Sequence, residues 1–249
     1  MVDKRDRSRS DKCSPSFQAE VRLMTIFLPS ALIFDMDGTI VDNARYHTQG
    51  WLELFAELGV EMTADELHLL IGGRTTEGVV RQIFGDHISN GEVRKYSERK
   101  EALYRAIYRP HLRPVEGLDE FLSEARCLGI PMAVATSAGM ENIKFVLGGL
   151  GIESYFAVVV GADEVEHGKT GPEMFLVTAQ RLDVSPERCL VFEDSLAGIE
   201  AARHAGMRTI VVTNTPEVQR FEAIPSVLKV VRDFTPLKDI VLLGIRVGE

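Results

Sequence analysis

The sequence predicts an α/β protein whose core is a doubly wound parallel sheet, with an α-helical domain inserted after the first core strand. Two observations carry the sheet. From Ala31 onward short apolar runs alternate with amphipathic segments, and the runs show little polar alternation, as in strands buried on both faces beneath helices. A third observation carries the insertion: between residues 43 and 113 there is no convincing strand, only segments of helical period.

The first twenty residues, MVDKRDRSRSDKCSPSFQAE, are polar, mixed in charge and aperiodic, so they read as disordered. The VRLMTIFLPSALIF that follows is apolar, but Pro29 and Ser30 interrupt it and it is too short to span a bilayer. It runs straight into Asp35, where a signal-peptide cleavage would fall beside a core strand, so no export is expected. Met24 is a candidate start of translation. Strands are expected at 31–34, 132–135, 156–160, 189–192 and 209–212, and more weakly at 227–231. Between them Leu118, Phe121, Leu122, Ala125 and Leu128 share one helical face, as do Phe175, Ala179 and Leu182.

Within the insertion, Thr63-Ala-Asp-Glu66 has the form of a capping box. Trp51, Leu52, Phe55 and Leu58 give one apolar face, and Val79, Val80, Ile83 and Phe84 a second. Val93, Tyr96, Leu103 and Ile107 give a third, closed by Pro110. The expected organisation is a disordered tail at 1–29, a core at 30–43 and 113–249, and a helical lobe at 44–112 with a hinge at each connection.

Composition narrows the function. With 45% hydrophobic and 26% charged residues the 249-residue chain is an ordinary globular one, long enough to bury its core without staples. Its net charge of −9 repels a phosphate backbone, which argues against nucleic-acid binding. Cys13, Cys127 and Cys189 cannot all pair and show no C-x-x-C spacing, so neither a disulfide framework nor a thiolate metal site is expected, and a reducing cytoplasm fits. No membrane partner is expected, and the chain is taken as a monomer or weak dimer.

Four motifs fall at the C-terminal ends of expected strands, where ligands bind in open α/β sheets. In Phe34-Asp35-Met36-Asp37-Gly38-Thr39 two carboxylates lie two residues apart, and Gly38 permits the turn that brings them to one side. They repel each other unless a cation is held between them. In Ala135-Thr136-Ser137-Ala138-Gly139 hydroxyls and free N–H groups precede a helix, which is either an N-cap pair or an anion site. Gly168-Lys169-Thr170-Gly171-Pro172-Glu173 sets a lysine on a loop before a helix that Pro172 can open. Val191-Phe192-Glu193-Asp194-Ser195 ends an apolar strand in two acids, which packing does not explain, with Ser195 placed to cap a helix. Oxygen-only ligation of this kind suits Mg²⁺.

Taken alone, each motif has an ordinary reading as loop, cap or surface. The ordered set D-x-D-G-T, T-S, K-x-x-P-E and E-D resembles the haloacid dehalogenase-like superfamily over essentially the whole chain after the tail. The helical insertion looks like that superfamily's cap, placed as in its β-phosphoglucomutase-like and phosphoglycolate-phosphatase-like branch, on a Rossmann-like core. The resemblance implies that Asp35 is the nucleophile, forming an aspartyl-phosphate, and that Asp37 is the general acid and base. It implies Mg²⁺ held by Asp35, the Asp37 carbonyl and Asp194, with Glu193 close by or bound through water. Thr136, the backbone of Ser137 and Ala138, and Lys169 would hold the transferring phosphoryl group, beside Gly38 and Thr39. The third motif departs from the commoner K-P-x-P-D in Thr170 and Glu173, which implies a small shift of loop geometry.

The second acid, Asp37, also points to phosphoryl transfer, because dehalogenases of this superfamily lack it. In the insertion, Tyr46-His47 with Trp51 matches a Y-H-x-x-x-W pattern of the branch, and Gly72-Gly73-Arg74-Thr75 resembles a loop whose arginine grips a distal phosphate. Lys100 falls near the family's cap lysine. His47, Gly73, Arg74 and Lys100 are therefore candidate substrate contacts, set against plain surface and hinge roles. The expected activity is a Mg²⁺-dependent phosphatase of a small phosphorylated metabolite, a sugar phosphate above others. A phosphosugar mutase with the same catalytic residues is the alternative, and Thr39, where mutases often have Val, leans toward hydrolysis. With every motif carboxylate intact, a non-catalytic binding protein is the least favoured reading.

Overall fold

The computed structural model describes residues 25–71, 75–85, 87–165, 171–215, 218–237 and 245–247. Six core strands form one sheet: β2 (Ala31–Phe34), β3 (Met132–Ala135), β4 (Val158–Val160), β5 (Cys189–Glu193), β6 (Arg208–Val212) and β7 (Val227–Val231). Their order is β4-β3-β2-β5-β6-β7 and every pairing is parallel. The chain therefore winds outward from β2 on one side and returns to wind outward on the other. The reversal falls between β2 and β5, the kind of switch point at which open α/β sheets bind ligands.

Why these runs become buried strands is visible in their register. Leu32 pairs with Leu190 and Phe34 with Phe192 across β2 and β5. These four belong to the apolar layer on one face, with Leu118, Phe121, Leu122 and Ala125 of α5 (Leu118–Cys127). Ala31, Ile33, Cys189 and Val191 alternate into the other layer, against Met174, Phe175 and Ala179 of α7 (Glu173–Leu182) and Ala201 and Ala202 of α8 (Leu196–His204). Phe34 and Phe192 stack at 4.7 Å between ring centroids, directly beneath the ends of their strands, with Phe121 and Phe234 edge-on or tilted around them. Leu128 falls outside α5 and is exposed, because the helix ends at Cys127 and Gly129 turns the chain.

Four helices, α1 (Ala44–Glu57), α2 (Ala64–Ile71), α3 (Thr76–Phe84) and α4 (Asn90–Tyr108), lie between β2 and α5, with no strand among the described residues there. They share an apolar cluster of their own, which includes Trp51, Phe55, Leu67, Val80 and Val93. The expected capping box at Thr63 and Glu66 is formed, and a second, Ser89 with Glu92, opens α4. Helix α4 is buried on two sides: Val93 packs among the inserted helices, while Tyr104 and Tyr108 join the core layer beneath.

Three expectations shift. Residues Thr25–Phe27, inside the expected tail, form strand β1, which pairs antiparallel with β8 (Ile245–Val247). The run at 156–160 becomes a strand only from Val158, because Glu153–Tyr155 is a 3₁₀ turn that delivers Phe156 to the core. After β3, helix α6 (Met140–Ile143) is a single turn that continues as a π-helical turn over Lys144–Gly148. Cys127 is exposed and Cys189 buried, both as free thiols. Helix α9 (Val218–Glu222) precedes β7. No helix among the described residues is long and apolar enough to cross a membrane.

Candidate active site

Asp35 leaves the end of β2 with its backbone N–H donated to the Phe192 carbonyl (2.9 Å), which ties it to the end of β5. The chain then folds back on itself: Ile40 N–H bonds the Met36 carbonyl (2.9 Å) and Gly38 N–H the Val41 carbonyl (2.7 Å). This tight loop turns Asp37 toward the same side as Asp35, as the sequence requires if both are to act together. Gly38 has φ +92°, and a Cβ there would overlap the Asp194 carboxylate. The residue after the second aspartate is glycine for both reasons.

On the adjacent strand end, Glu193 and Asp194 divide. Oε2 of Glu193 accepts from the N–H groups of Asp194 (2.8 Å) and Ser195 (2.7 Å) and from the Ser195 hydroxyl (3.0 Å). Its carboxylate fills the space a Cβ on Gly198 would take, so it is turned into the first turn of α8. Ser195 caps that helix by accepting from Gly198 N–H (3.1 Å). Asp35, Glu193 and Asp194 can each offer one oxygen with all three within 4.8 Å of one another. Such a set of carboxylate oxygens fits Mg²⁺, which binds few protein carboxylates and keeps several waters.

Asp37 stands on the side facing the inserted helices. Its Oδ1 accepts from Asn43 Nδ2 (2.7 Å), and Oδ2 lies 3.7 Å from His47 Nε2, longer than a hydrogen bond. Burial pushes its proton affinity up, but the His47 ring, the Asn43 amide and the Lys100 charge outweigh it and hold the carboxyl below the usual aspartate range. His47 Nδ1 meets Lys100 Nζ at 2.8 Å. Lys100, only 3% exposed, also pairs with Glu101 (2.9 Å) and lies over the ring faces of Trp51 and Tyr104.

Glu101 in turn takes hydrogen bonds from Thr76 (3.0 Å) on α3 and from Asn142 (2.8 Å) on α6. Burial raises its proton affinity, and the Lys100 charge, the His47 ring and the hydrogen bonds from Asn142 and Lys100 more than reverse that, holding the carboxyl below the usual glutamate range. Thr136, at the end of β3, is buried and accepts Ala138 N–H on its hydroxyl oxygen (3.2 Å), so its own proton points elsewhere.

Residues of the first, second and fourth motifs meet in one cavity of about 800 Å³ between the sheet ends and the inserted helices. Asp35, Asp37, Gly38, Thr136, Ser137, Ala138 and Asp194 line its floor, and His47 and Lys100 its other wall. Two residues sit differently. Glu193 does not line the cavity, and Thr39 is fully buried beside it, its hydroxyl oxygen without a hydrogen-bond partner. Thr39 thus does not line the cavity, unlike Gly38 before it. Lys169, Gly73 and Arg74 lie outside the described residues.

Sequence reasoning passed over Asn43, Glu101, Tyr104 and Asn142. A signal for two of them exists. Asn43 and His47, and Lys100 and Tyr104, are each four apart, so each pair shares a helix face, and α1 and α4 turn those faces toward each other.

Residues 32–212 match the family model for haloacid dehalogenase-like hydrolase. The chain belongs to that family. Within it, the hydrolase is 34% identical over 182 residues to the fructose-1-phosphate phosphatase YqaB of Escherichia coli (strain K12), covering 73% of this chain and 95% of that protein. It is 30% identical over 198 residues to the chloroplastic 5-amino-6-(5-phospho-D-ribitylamino)uracil phosphatase of Arabidopsis thaliana, over 79% of this chain. The match spans only 53% of that longer protein. Among solved structures, it is similar to β-phosphoglucomutase from Clostridium difficile, with a TM-score of 0.71 and 26% identity over 85% of this chain and 94% of that one. The hydrolase thus sits in the branch that holds β-phosphoglucomutase-like and phosphatase-like members.

Proposed function

We propose that this hydrolase is a Mg²⁺-dependent phosphatase of small phosphorylated metabolites, with sugar phosphates as its substrate class, acting through an aspartyl-phosphate on Asp35. One observation carries the reading. Asp35 stands in a carboxylate cluster at the sheet's switch point, while Asp37, two residues on, is held apart from that cluster by Asn43 and His47. Two acids of one loop in unlike surroundings suit two unlike tasks.

An Asp35 oxygen attacks phosphorus, the bond from phosphorus to the leaving oxygen breaks, and Asp37 delivers a proton to that oxygen. Asp37 then takes a proton from water as the water oxygen attacks phosphorus, and the bond to Asp35 breaks to release inorganic phosphate. Asp37 must carry a proton for the first step although its carboxyl is held low, and the dianionic phosphoryl group drawn beside it raises its proton affinity. Mg²⁺, held by Asp35, Asp194 and the Asp37 carbonyl, would neutralise the charge that otherwise keeps an anionic nucleophile from an anionic phosphoryl group. Glu193, its Oε2 already accepting three hydrogen bonds, orients Asp194. Thr136, the N–H groups that follow it, and Lys169 hold the phosphoryl oxygens. The inserted helices act as a cap that screens the cleft from water.

The named activity of the Escherichia coli relative favours hydrolysis of a sugar phosphate. The contact of His47 with Lys100 in the cavity wall, and the likeness to β-phosphoglucomutase, favour the mutase as the second reading. A ³¹P NMR time course with Mg²⁺ separates them. Inorganic phosphate released from fructose 1-phosphate is the expected outcome. Conversion of β-glucose 1-phosphate, with a trace of the 1,6-bisphosphate, into glucose 6-phosphate without free phosphate would establish the mutase instead.

A further inference from the structure

Tyr104 is a buried tyrosine on α4 that no motif demands, yet it touches both sides of the Asp37 environment. Asn43 Nδ2 has two hydrogens and spends them on Asp37 Oδ1 and on the Tyr104 hydroxyl, at 2.7 Å each. The His47 ring lies flat on the Tyr104 ring, with centroids 3.8 Å apart and planes inclined by 10°. Lys100 Nζ stands 5.7 Å from the same ring centroid. The two groups beside the Asp37 carboxyl, Asn43 and His47, are therefore both in direct contact with one side chain.

The backbone is built to bring Tyr104 there. A Cβ on Gly50 of α1 would stand 3.2 Å from the Tyr104 backbone nitrogen and 3.3 Å from its Cα, closer than helices normally allow. The absence of a side chain at Gly50 lets α4 press against α1 at the one turn that carries Tyr104. An apolar residue would pack there equally well. The hydroxyl is needed only to fix the Asn43 amide, since otherwise one of its buried hydrogens lacks an acceptor.

We propose that Tyr104 is a positioning residue for the proton-transfer step: through Asn43 and His47 it fixes the orientation of the Asp37 carboxyl toward the leaving oxygen. This rests on the reading of Asp37 as general acid. Proton delivery matters for an alkoxide leaving group and hardly at all for p-nitrophenolate. Loss of orientation must therefore appear as discrimination between leaving groups, whereas a general loss of packing lowers both activities together.

The test compares kcat/KM for fructose 1-phosphate and for p-nitrophenyl phosphate in wild type, Asp37→Asn, Tyr104→Phe and Gly50→Ala. This parameter reports the first phosphoryl transfer and not the later hydrolysis. For Tyr104→Phe the ratio of the two values is expected to move against fructose 1-phosphate by about tenfold, a part of the 10²–10⁴ that general acid catalysis supplies. Gly50→Ala, which changes no polar group, is expected to move it in the same direction. An unchanged ratio in Tyr104→Phe, with Asp37→Asn strongly discriminating, overturns the role of Tyr104 and leaves the general acid standing. An unchanged ratio in Asp37→Asn, or no turnover of either substrate by wild type, overturns the reading of Asp37 and this proposal with it.

Discussion

The Asp194 carboxylate occupies the space where a side chain at position 38 would begin. The first motif loop and the fourth motif thus fit together by subtraction: Gly38 contributes its missing Cβ. Gly38→Ala is expected to push Asp194 away from Asp35 and to strain a backbone at φ +92°. The result is a rise of at least about tenfold in the Mg²⁺ concentration for half-maximal activity with a folded chain, read from a Mg²⁺ titration of turnover beside a circular-dichroism melt. Chelation by EDTA should abolish turnover of the unmodified enzyme and Mg²⁺ restore it.

On the proposed mechanism, Asp35→Asn replaces the attacking carboxylate while keeping its shape. Turnover of p-nitrophenyl phosphate should fall by at least about 10³-fold. Activity near the wild-type level would eliminate the covalent route.

Glu101 ties α3, α4 and α6 together through Thr76, Lys100 and Asn142. Because its carboxyl is held below the usual glutamate range, the stability it supplies is complete above about pH 4.3, where the unfolded chain would also be ionised. That contribution is lost as pH falls through the depressed folded value. Glu101→Gln, which leaves the buried Lys100 without its counter-charge, should cost about 2 kcal/mol at pH 7, or about 4–8 °C in Tm. Melting curves of both proteins from pH 7 to pH 3 should converge at the acid end. A gap that stays constant would show that the charge is not what matters.

Phe234 is buried with its ring 5.4 Å from both Phe121 and Phe192. Phe234→Ala opens a cavity under the strand ends that carry Asp35 and Asp194, at a cost of about 3–5 kcal/mol. Urea denaturation measures it directly.

Much of the fold could be read ahead because parallel strands buried on both faces leave uninterrupted apolar runs, and five of the six core strands were placed within a residue. Strands β1 and β8 were not, since three-residue strands carry too few positions to show a period. In α4 the expected face at Val93, Tyr96, Leu103 and Ile107 missed Tyr104 and Tyr108, because a helix clasped from two sides has no single apolar stripe. The site followed the same logic. Asp35, Thr136 and Asp194 were legible because each ends a strand, and topology brings strand ends together. Glu101 and Asn142 were not, because each acts through partners that only helix packing supplies, and Asn43 was marked only by its four-residue spacing from His47.

Strand β2 is the first core strand in the chain and lies third in the sheet, between β3 and β5. During synthesis its β3-facing side finds a partner about a hundred residues later, but the side facing β5 must wait until residues 189–193 have been made. For that interval Ala31–Phe34 presents an open, wholly apolar edge, the kind of surface on which nascent chains aggregate. The strand that completes the acidic cluster is also the one that closes this edge. The open edge of β2 and the unfinished carboxylate cluster are thus completed by one continuous stretch, residues 189–194.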